Sequence, residues 1–401
     1  MVTDYYLPTL GGVQTVIKAH REALEHAGHE VFVFTPLSAP SDDPHVIRLP
    51  TARGFAPDGY PFTWTPSAAA TAVREGLRAH RIDVVHVHTE MFAALAGFEA
   101  ATAEGLPIVQ TMHGRIDVYT RSVLPLPSVT TAVLAAMHRR RMSHDRARLD
   151  PSAPYASTRM ARRMWRLMVS QANHADHVIV PSAHFADKLT AQGVRTPLTV
   201  LSNGLEDTVL AAVGAPTLRE PAASDELRVV WCGRLSPEKR PEAFVEAVGR
   251  TPGIRAEMFG DGVARRRVAA AARDLPDGRL TVHGAVPQSQ VLQAMSRAHV
   301  LVSSSLDFDN QPMVILEGIA TGLPVIVTDP DLEEMLPPGG GLVSRTPDAD
   351  GLAAALQELR DDPERVRTMS AAAIAHRRHV AQDTHRDALL DVYRAVLAPT
   401  R

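Results

Sequence analysis

Residues 303–329, SSSLDFDNQPMVILEGIATGLPVIVTD, restrict the fold more than any other stretch of the chain. Leu323-Pro-Val-Ile-Val is a short, β-branched apolar run bounded by Gly322 and Asp329, the pattern of a parallel strand buried on both faces. The run Val314-Ile-Leu before it predicts a short helix starting near Pro312, because proline's fixed φ suits a first helical position. Ser303–Ser305 close the preceding strand, HVLVSSS. The polar residues 307–311 therefore fall in a loop beyond a strand's carboxyl end, where open α/β sheets bind their ligands. The helix after that loop offers unpaired N–H groups and the positive end of its dipole, which favour an anion such as a phosphate. Two acids, Asp309 and Glu317, bracket the element.

The rest of the chain repeats the same alternation. Gly11-Gly12 opens a helix over Val13–Ala27, closed by Gly28, and Glu30–Thr35 is the next strand. Strand, glycine turn, helix and strand make a phosphate-loop arrangement, since glycine lets backbone N–H groups approach an anion; a simple tight turn fits the glycine pair equally well. Few residues precede that turn, so the start of the chain reads as truncated. Strands follow at Ile82–His88, Pro107–His113, Ala175–Ser182 and Pro197–Gly204. Residues 207–226, with Pro216, Pro221 and polar punctuation, read as a linker. Beyond it come strands near 227–232, 258, 280–286 and 339–343, and helices from 348 to 397. A chain of 401 residues exceeds one ordinary core, so this pattern predicts two α/β domains. The expected division is 1–206, linker 207–226, 227–383, and a final helix from 384 that returns to the first domain.

Composition removes several classes of function. A formal net charge of −3 and an aromatic content of 5%, with no nucleic-acid motif, give no reason to expect a nucleic-acid partner. The lone Cys232 excludes an intramolecular disulfide and suits a reducing compartment; within its strand it reads as core. No charged-then-apolar leader opens the chain, and no apolar run approaches the ~18 residues of a membrane span. The expected location is the cytoplasm.

Several residues carry chemistry. His86 and His88 share one strand face, and His-x-His ligates zinc in some proteins, but no third or fourth ligand stands at a suitable spacing. Strand-end packing or acceptor contact is the better expectation for them. Residues 117–173 hold an arginine-rich stretch, from Arg139-Arg140-Arg141 through Arg146 and Arg148 to Arg159, Arg162, Arg163 and Arg166. Met160, Met164, Trp165, Leu167 and Met168 interleave with its second half. A basic helix with bulky apolar residues suits an anionic membrane surface, through 137–168; a solvated basic face over a packed helix is the alternative. In Gly233-Arg-Leu-Ser-Pro-Glu-Lys239, a buried strand delivers Arg234 to its carboxyl end, and Lys239 follows just before a helix. Two cations there suit a diphosphate whose charge grows as it leaves.

Taken together, GRLSPEK and the 309–324 run resemble the retaining family-4 glycosyltransferases, and the resemblance extends over essentially the whole chain from residue 3. Asp309 and Glu317 stand where that family has its E-x7-E pair, with the shorter carboxylate at the first position, and Asn203-Gly204-Leu205-Glu206 is a variant of its N-G-(I/V)-D. The resemblance implies the GT-B fold, two Rossmann-like domains facing each other across a cleft, and transfer of a hexose from a UDP- or GDP-linked donor with retention of configuration. It implies that Arg234 and Lys239 clamp the diphosphate, that Asp309 lies by the sugar hydroxyls, and that Glu317 holds the ribose. Backbone around Gln311, Pro312 and Met313 would approach the phosphates, Gly11 and Gly12 would face them, and His113, in a strand-end His-Gly, would contact the donor sugar. No metal or other cofactor is expected, because the cations and helix N-termini carry the charge. Asp307-Phe-Asp309 and Asp329-Pro-Asp331 spell DxD, a metal–diphosphate signature of a different glycosyltransferase fold, but three-residue patterns arise by chance in an acid-rich chain. The basic segment favours a lipid-linked or membrane-surface acceptor, a glycan or glycolipid, with the protein peripheral on the inner face of the membrane. A small soluble acceptor, an epimerase, or a non-catalytic nucleotide-sugar-binding protein on the same fold are the alternatives.

Overall fold

The computed structural model describes residues 1–7, 11–51, 61, 63, 66–123, 126–142, 149–222 and 226–398. It divides into two units, one formed by Met1–Asn203 and the residues from His385 on, the other by Gly204–Thr384.

The first unit is laid down as β1 (Val2–Thr3), α1 (Gly12–His26), β2 (Val33–Pro36), β3 (Val46–Leu49), α2 (Pro66–Ala79), β4 (Val85–His88), α3 (Phe92–Glu104), β5 (Ile108–Thr111), α4 (Ile116–Val123), α5 (Pro127–Arg141), α6 (Arg159–Ala172), β6 (His177–Val180), α7 (Ala183–Ala191) and β7 (Leu198–Val200). Its sheet is parallel throughout, in the order β3-β2-β1-β4-β5-β6-β7. β1 is two residues long yet central: Val2 pairs with Phe34 on one side and Val87 on the other. Strands such as VHVH and IVQT are buried at every position because helices cover both faces of the sheet. The strand order reverses between β1 and β4, so their carboxyl ends frame the natural binding crevice of this unit.

The second unit repeats the plan with α8 (Asp207–Val213), β8 (Leu227–Cys232), α9 (Pro241–Arg250), β9 (Ile254–Phe259), α10 (Arg265–Arg273), β10 (Leu280–Gly284), α11 (Gln288–Arg297), β11 (Val300–Ser303), α12 (Met313–Ala320), β12 (Val325–Val327), β13 (Gly341–Val343), α13 (Ala349–Asp361) and α14 (Pro363–His376). Its parallel sheet runs β10-β9-β8-β11-β12-β13, which places the reversal between β8 and β11. The last helix, α15 (Gln382–Leu397), starts in this unit. Its later residues Leu389, Leu390 and Val392 are buried with Leu24, Val31, Val109, Ile179 and Leu201 of the first unit's core.

Two expectations need correction. The stretch 207–226 is no free linker: Asp207–Val213 is helical, and Val209 joins the second unit's core. Arg219 is buried there, donating to the carbonyls of Thr217, Met295 and Thr321, while its own N–H donates to Ser370 Oγ. Burial pulls its guanidinium down to about 10, and the three carbonyl contacts are what make that burial tolerable. Residues 223–225 of the stretch lie outside the described residues. The second correction concerns α6. Met164, Trp165, Leu167 and Met168 are fully buried in the first unit's core, so this apolar face packs on the protein and cannot insert into lipid. Asp145, Arg146 and Arg148 lie outside the described residues.

Candidate active site

In the second unit the carboxyl end of β8 runs into Gly233-Arg234-Leu235, a 3₁₀ turn at Pro237–Lys239, and then α9. A backbone lattice shapes this loop: Gly233 N–H donates to Phe259 O and Leu235 N–H to Asp261 O. Gly260 has φ +132°, and a Cβ there would lie 1.8 Å from Gly233 O, so only glycine lets the β9 loop pass this close. Arg234 is half-buried at the strand end. The Lys239–Arg240 turn is tied to the carboxyl end of β11 by Ser304, whose Oγ donates to Lys239 O at 2.7 Å and accepts from Trp231 Nε1 at 2.9 Å. This brings Lys239 Nζ to both carboxylate oxygens of Asp309, each at 2.7 Å, and within 5.5 Å of the Phe308 ring centroid. The Asp309 and Lys239 side chains are only 10% and 19% exposed, so the pair is poorly screened.

Pro312 is the N-cap of α12, one residue before the position expected for it, and Met313 is the first helical residue. Gln311 and Met313 therefore flank a helix start, where the first N–H groups have no acceptor within the helix. Glu317, one turn further on, is buried and accepts from Gln288 Nε2 at 2.6 Å. Burial raises its carboxyl to about 7, against the opposing effect of the Gln288 hydrogen bond. The acids of the two DxD triplets have protein partners. Asp309 faces Lys239, and Asp329 accepts from the backbone N–H groups of Asp307 and Asp331. Cys232 is held protonated, its thiol pushed up to about 12 by burial and then by the nearby Glu317.

In the first unit the ends of β1, β4 and β5 gather a second set. Asp4 accepts from Thr89 Oγ1 at 2.6 Å and from the N–H groups of Met91, Ala93 and Ala94, so it caps α3 from a distant part of the chain. His113, two residues past β5, is half-buried with its Nε2 3.0 Å from His88 Nδ1. Burial, and then the charge His20 would carry, lower its imidazole to about 3, which keeps it neutral. Gly11 is the N-cap of α1 in extended backbone (φ −179°) and Gly12 its first residue, so this glycine pair marks a helix start rather than a left-handed turn. A pocket of about 600 Å³ lies beside that helix, lined among others by Asp4, Tyr6, Lys18, Arg21 and Asp43.

Two family models match the chain, Glycosyltransferase Family 4 over residues 10–209 and Glycosyl transferases group 1 over residues 226–362. The chain belongs to the family-4 glycosyltransferases. It is 24% identical over 393 residues to the α-monoglucosyldiacylglycerol synthase of Acholeplasma laidlawii, covering 92% of this chain and 90% of that one. It is 28% identical over 381 residues to the phosphatidyl-myo-inositol mannosyltransferase of Mycolicibacterium smegmatis, at 91% and 85% coverage. Among solved structures, Anabaena HepE in complex with UDP superposes with a TM-score of 0.69 at 17% identity, covering 98% of this chain and 100% of that one. The fold is therefore the α/β GT-B fold of two Rossmann-like domains.

In this glycosyltransferase the structure also supplies residues that no motif announced. Gln288, the first residue of α11, sets the orientation of Glu317. Ser304 and Trp231 fix the lysine turn. Arg115 and Asp117, just past His113, form a buried bidentate pair at 2.8 Å, with the guanidinium 5.3 Å from the ring centroids of both Tyr155 and Trp165. That pair anchors the start of α4 and so the loop that carries His113. The only sequence signals for these residues were a helix start after Pro287, the middle serine of a strand-end run, and an i, i+2 charge pair; none distinguishes a site from ordinary surface.

Proposed function

We propose that this glycosyltransferase moves a hexose from a UDP- or GDP-linked donor to a lipid-linked or membrane-surface acceptor with retention of configuration. The observation that carries the donor half is the grouping at the β8/β11 reversal of a strand-end arginine, a lysine locked onto Asp309, and a helix start followed by a buried glutamate. Arg234 and Lys239 offer cationic donors to a diphosphate, α12 offers its first N–H groups, and Glu317 offers carboxylate oxygens to ribose hydroxyls. Asp309, drawn in by Lys239, would stand by the hydroxyls of the sugar. His113, kept neutral, could offer the donor sugar a hydrogen bond without adding charge, and the helix start at Gly11 and Gly12 has N–H groups suited to phosphates. In the transfer, the acceptor oxygen bonds to the anomeric carbon, the bond from that carbon to the β-phosphate oxygen breaks, and the acceptor's proton passes to the departing diphosphate. The cations stabilise charge that grows on the leaving group, so the reading requires no metal for turnover.

The acceptor half rests on surface chemistry and on the lipids in the names of two relatives. Val129 and Val133 are exposed one turn apart on α5, with exposed Leu126 as its N-cap, and the exposed Arg139 and Arg140 follow, while Arg141 pairs with Glu99. An apolar ridge ending in arginines suits an anionic bilayer surface. Among the described residues no helix is long and apolar enough to cross a membrane.

Calorimetric titration with UDP and GDP, on the wild type and on Arg234→Ala, tests the donor site. The expected result is saturable binding of one nucleotide that the substitution weakens at least tenfold, unchanged by EDTA. Binding of neither nucleotide, or equal binding by the variant, would refute the assignment.

A further inference from the structure

His-x-His at 86 and 88 has no third ligand nearby in sequence, but the fold provides one. α1 carries His20 against the same face of β4, and single ligand atoms of His20, His86 and His88 all lie within 4.8 Å of one another. The rings form one cluster: His86 and His88 are 4.0 Å apart between centroids, and His20 is 6.1 Å and 5.7 Å from them. All three side chains are at most 2% exposed. Two of their nitrogens, His20 Nδ1 and His88 Nε2, are buried without a hydrogen-bond partner. An unsatisfied buried nitrogen is costly, and two within one three-histidine cluster is an arrangement a ligand would relieve.

We propose that His20, His86 and His88 form a transition-metal site of the first unit, for a borderline ion such as Zn²⁺. Imidazole suits zinc, and three protein nitrogens leave one tetrahedral position for water or chloride. The outer contacts match such a site. If the Nδ1 proton of His88 is donated to His113 Nε2, 3.0 Å away, the partnerless Nε2 carries a lone pair, the tautomer that a ligating histidine adopts when a neighbour takes its other N–H. His86 is held between Tyr393 OH on Nδ1 and Thr111 Oγ1 on Nε2, each at 2.6 Å, so ligation exchanges one of these hydrogen bonds for the metal. The site is independent of the donor reading: it requires only α1 and β4, and it meets the proposed transfer chemistry through one hydrogen bond, His88 to His113. Zinc here is not needed for turnover.

The test uses untagged, chelator-treated full-length protein incubated with zinc sulfate, desalted, and analysed for bound metal. A control protein carries His376→Ala and His379→Ala, which removes a stacked histidine pair of the other unit, 4.3 Å between centroids. The expected result is about one zinc retained by both the wild type and that control, and loss of that zinc in His20→Gln with unchanged circular dichroism. Zinc retained equally by His20→Gln, or lost from the wild type on desalting, would overturn the proposal. Should His20→Gln fail to fold, cobalt(II) loading of the control protein decides: intense d–d absorption of a four-coordinate ion supports the site, and weak six-coordinate absorption or none refutes it.

Discussion

Lys239 and Asp309 form one contact to which the proposed donor site assigns both stability and binding. A lysine and a carboxylate, each largely shielded from water, are tolerable only as a pair. Lys239→Met leaves the Asp309 carboxylate uncompensated and should cost about 1–3 kcal/mol in urea denaturation, together with a loss of nucleotide affinity. Adding Asp309→Asn should recover most of the stability and none of the affinity, which separates the two roles of the lysine. Glu317 gives a prediction in pH. Its carboxyl is raised from 4.5 to about 7, so across that window the folded chain binds more protons than the unfolded one. Stability of the unliganded protein should therefore fall as pH rises from 4.5 to 7, while nucleotide affinity should rise as the carboxylate forms. Affinity measured by calorimetry should increase about tenfold from roughly pH 6 to 8, and Glu317→Gln should remove the dependence. A constant affinity across that range would mean that Glu317 does not meet the ribose as an anion.

At the scale of elements, α5 and α6 look alike in sequence and behave differently in the fold. Both mix arginines with apolar residues, and the more amphipathic of them, α6, spends its apolar face on the core around Trp165. α5 keeps Val129 and Val133, and its N-cap Leu126, on the surface, so on the proposed reading it is the element a bilayer would meet. Val129→Asp with Val133→Asp should reduce flotation with anionic vesicles while leaving nucleotide affinity intact. Because both side chains are about half exposed already, folding should change by less than ~0.5 kcal/mol. Flotation equal to that of the wild type would remove the case for a lipid surface through this helix. The strand–helix alternation, the glycine helix start and the strand-end placement of Arg234 were all legible from residue patterns. The helix in 207–226 was not, because prolines and polar residues there mask the buried Arg219, whose carbonyl partners come from residues 217, 295 and 321.

Across the whole molecule, the chain leaves the first unit at Asn203 and rejoins it at His385. The return is an apolar contact: Leu389, Leu390 and Val392 complete a core whose other members lie before residue 202. Leu389→Ala should therefore destabilise the first unit by about 2–5 kcal/mol and leave the second unchanged. Denaturation followed by Trp165 in one unit and Trp231 in the other, each observed after replacing the remaining tryptophans by phenylalanine, should show only the first transition shifting. Equal shifts would mean that the two units unfold as one. The sequence by itself determined what depends on neighbouring residues: the class of fold, the run of strands and helices, and the motifs at strand ends, since side-chain period and turn chemistry are local. Only the tertiary structure decided which distant groups meet. Lys239 finds Asp309, Glu317 finds Gln288, and His20 reaches His86 and His88, because parallel strands bring together residues dozens of positions apart and burial then sets their charge.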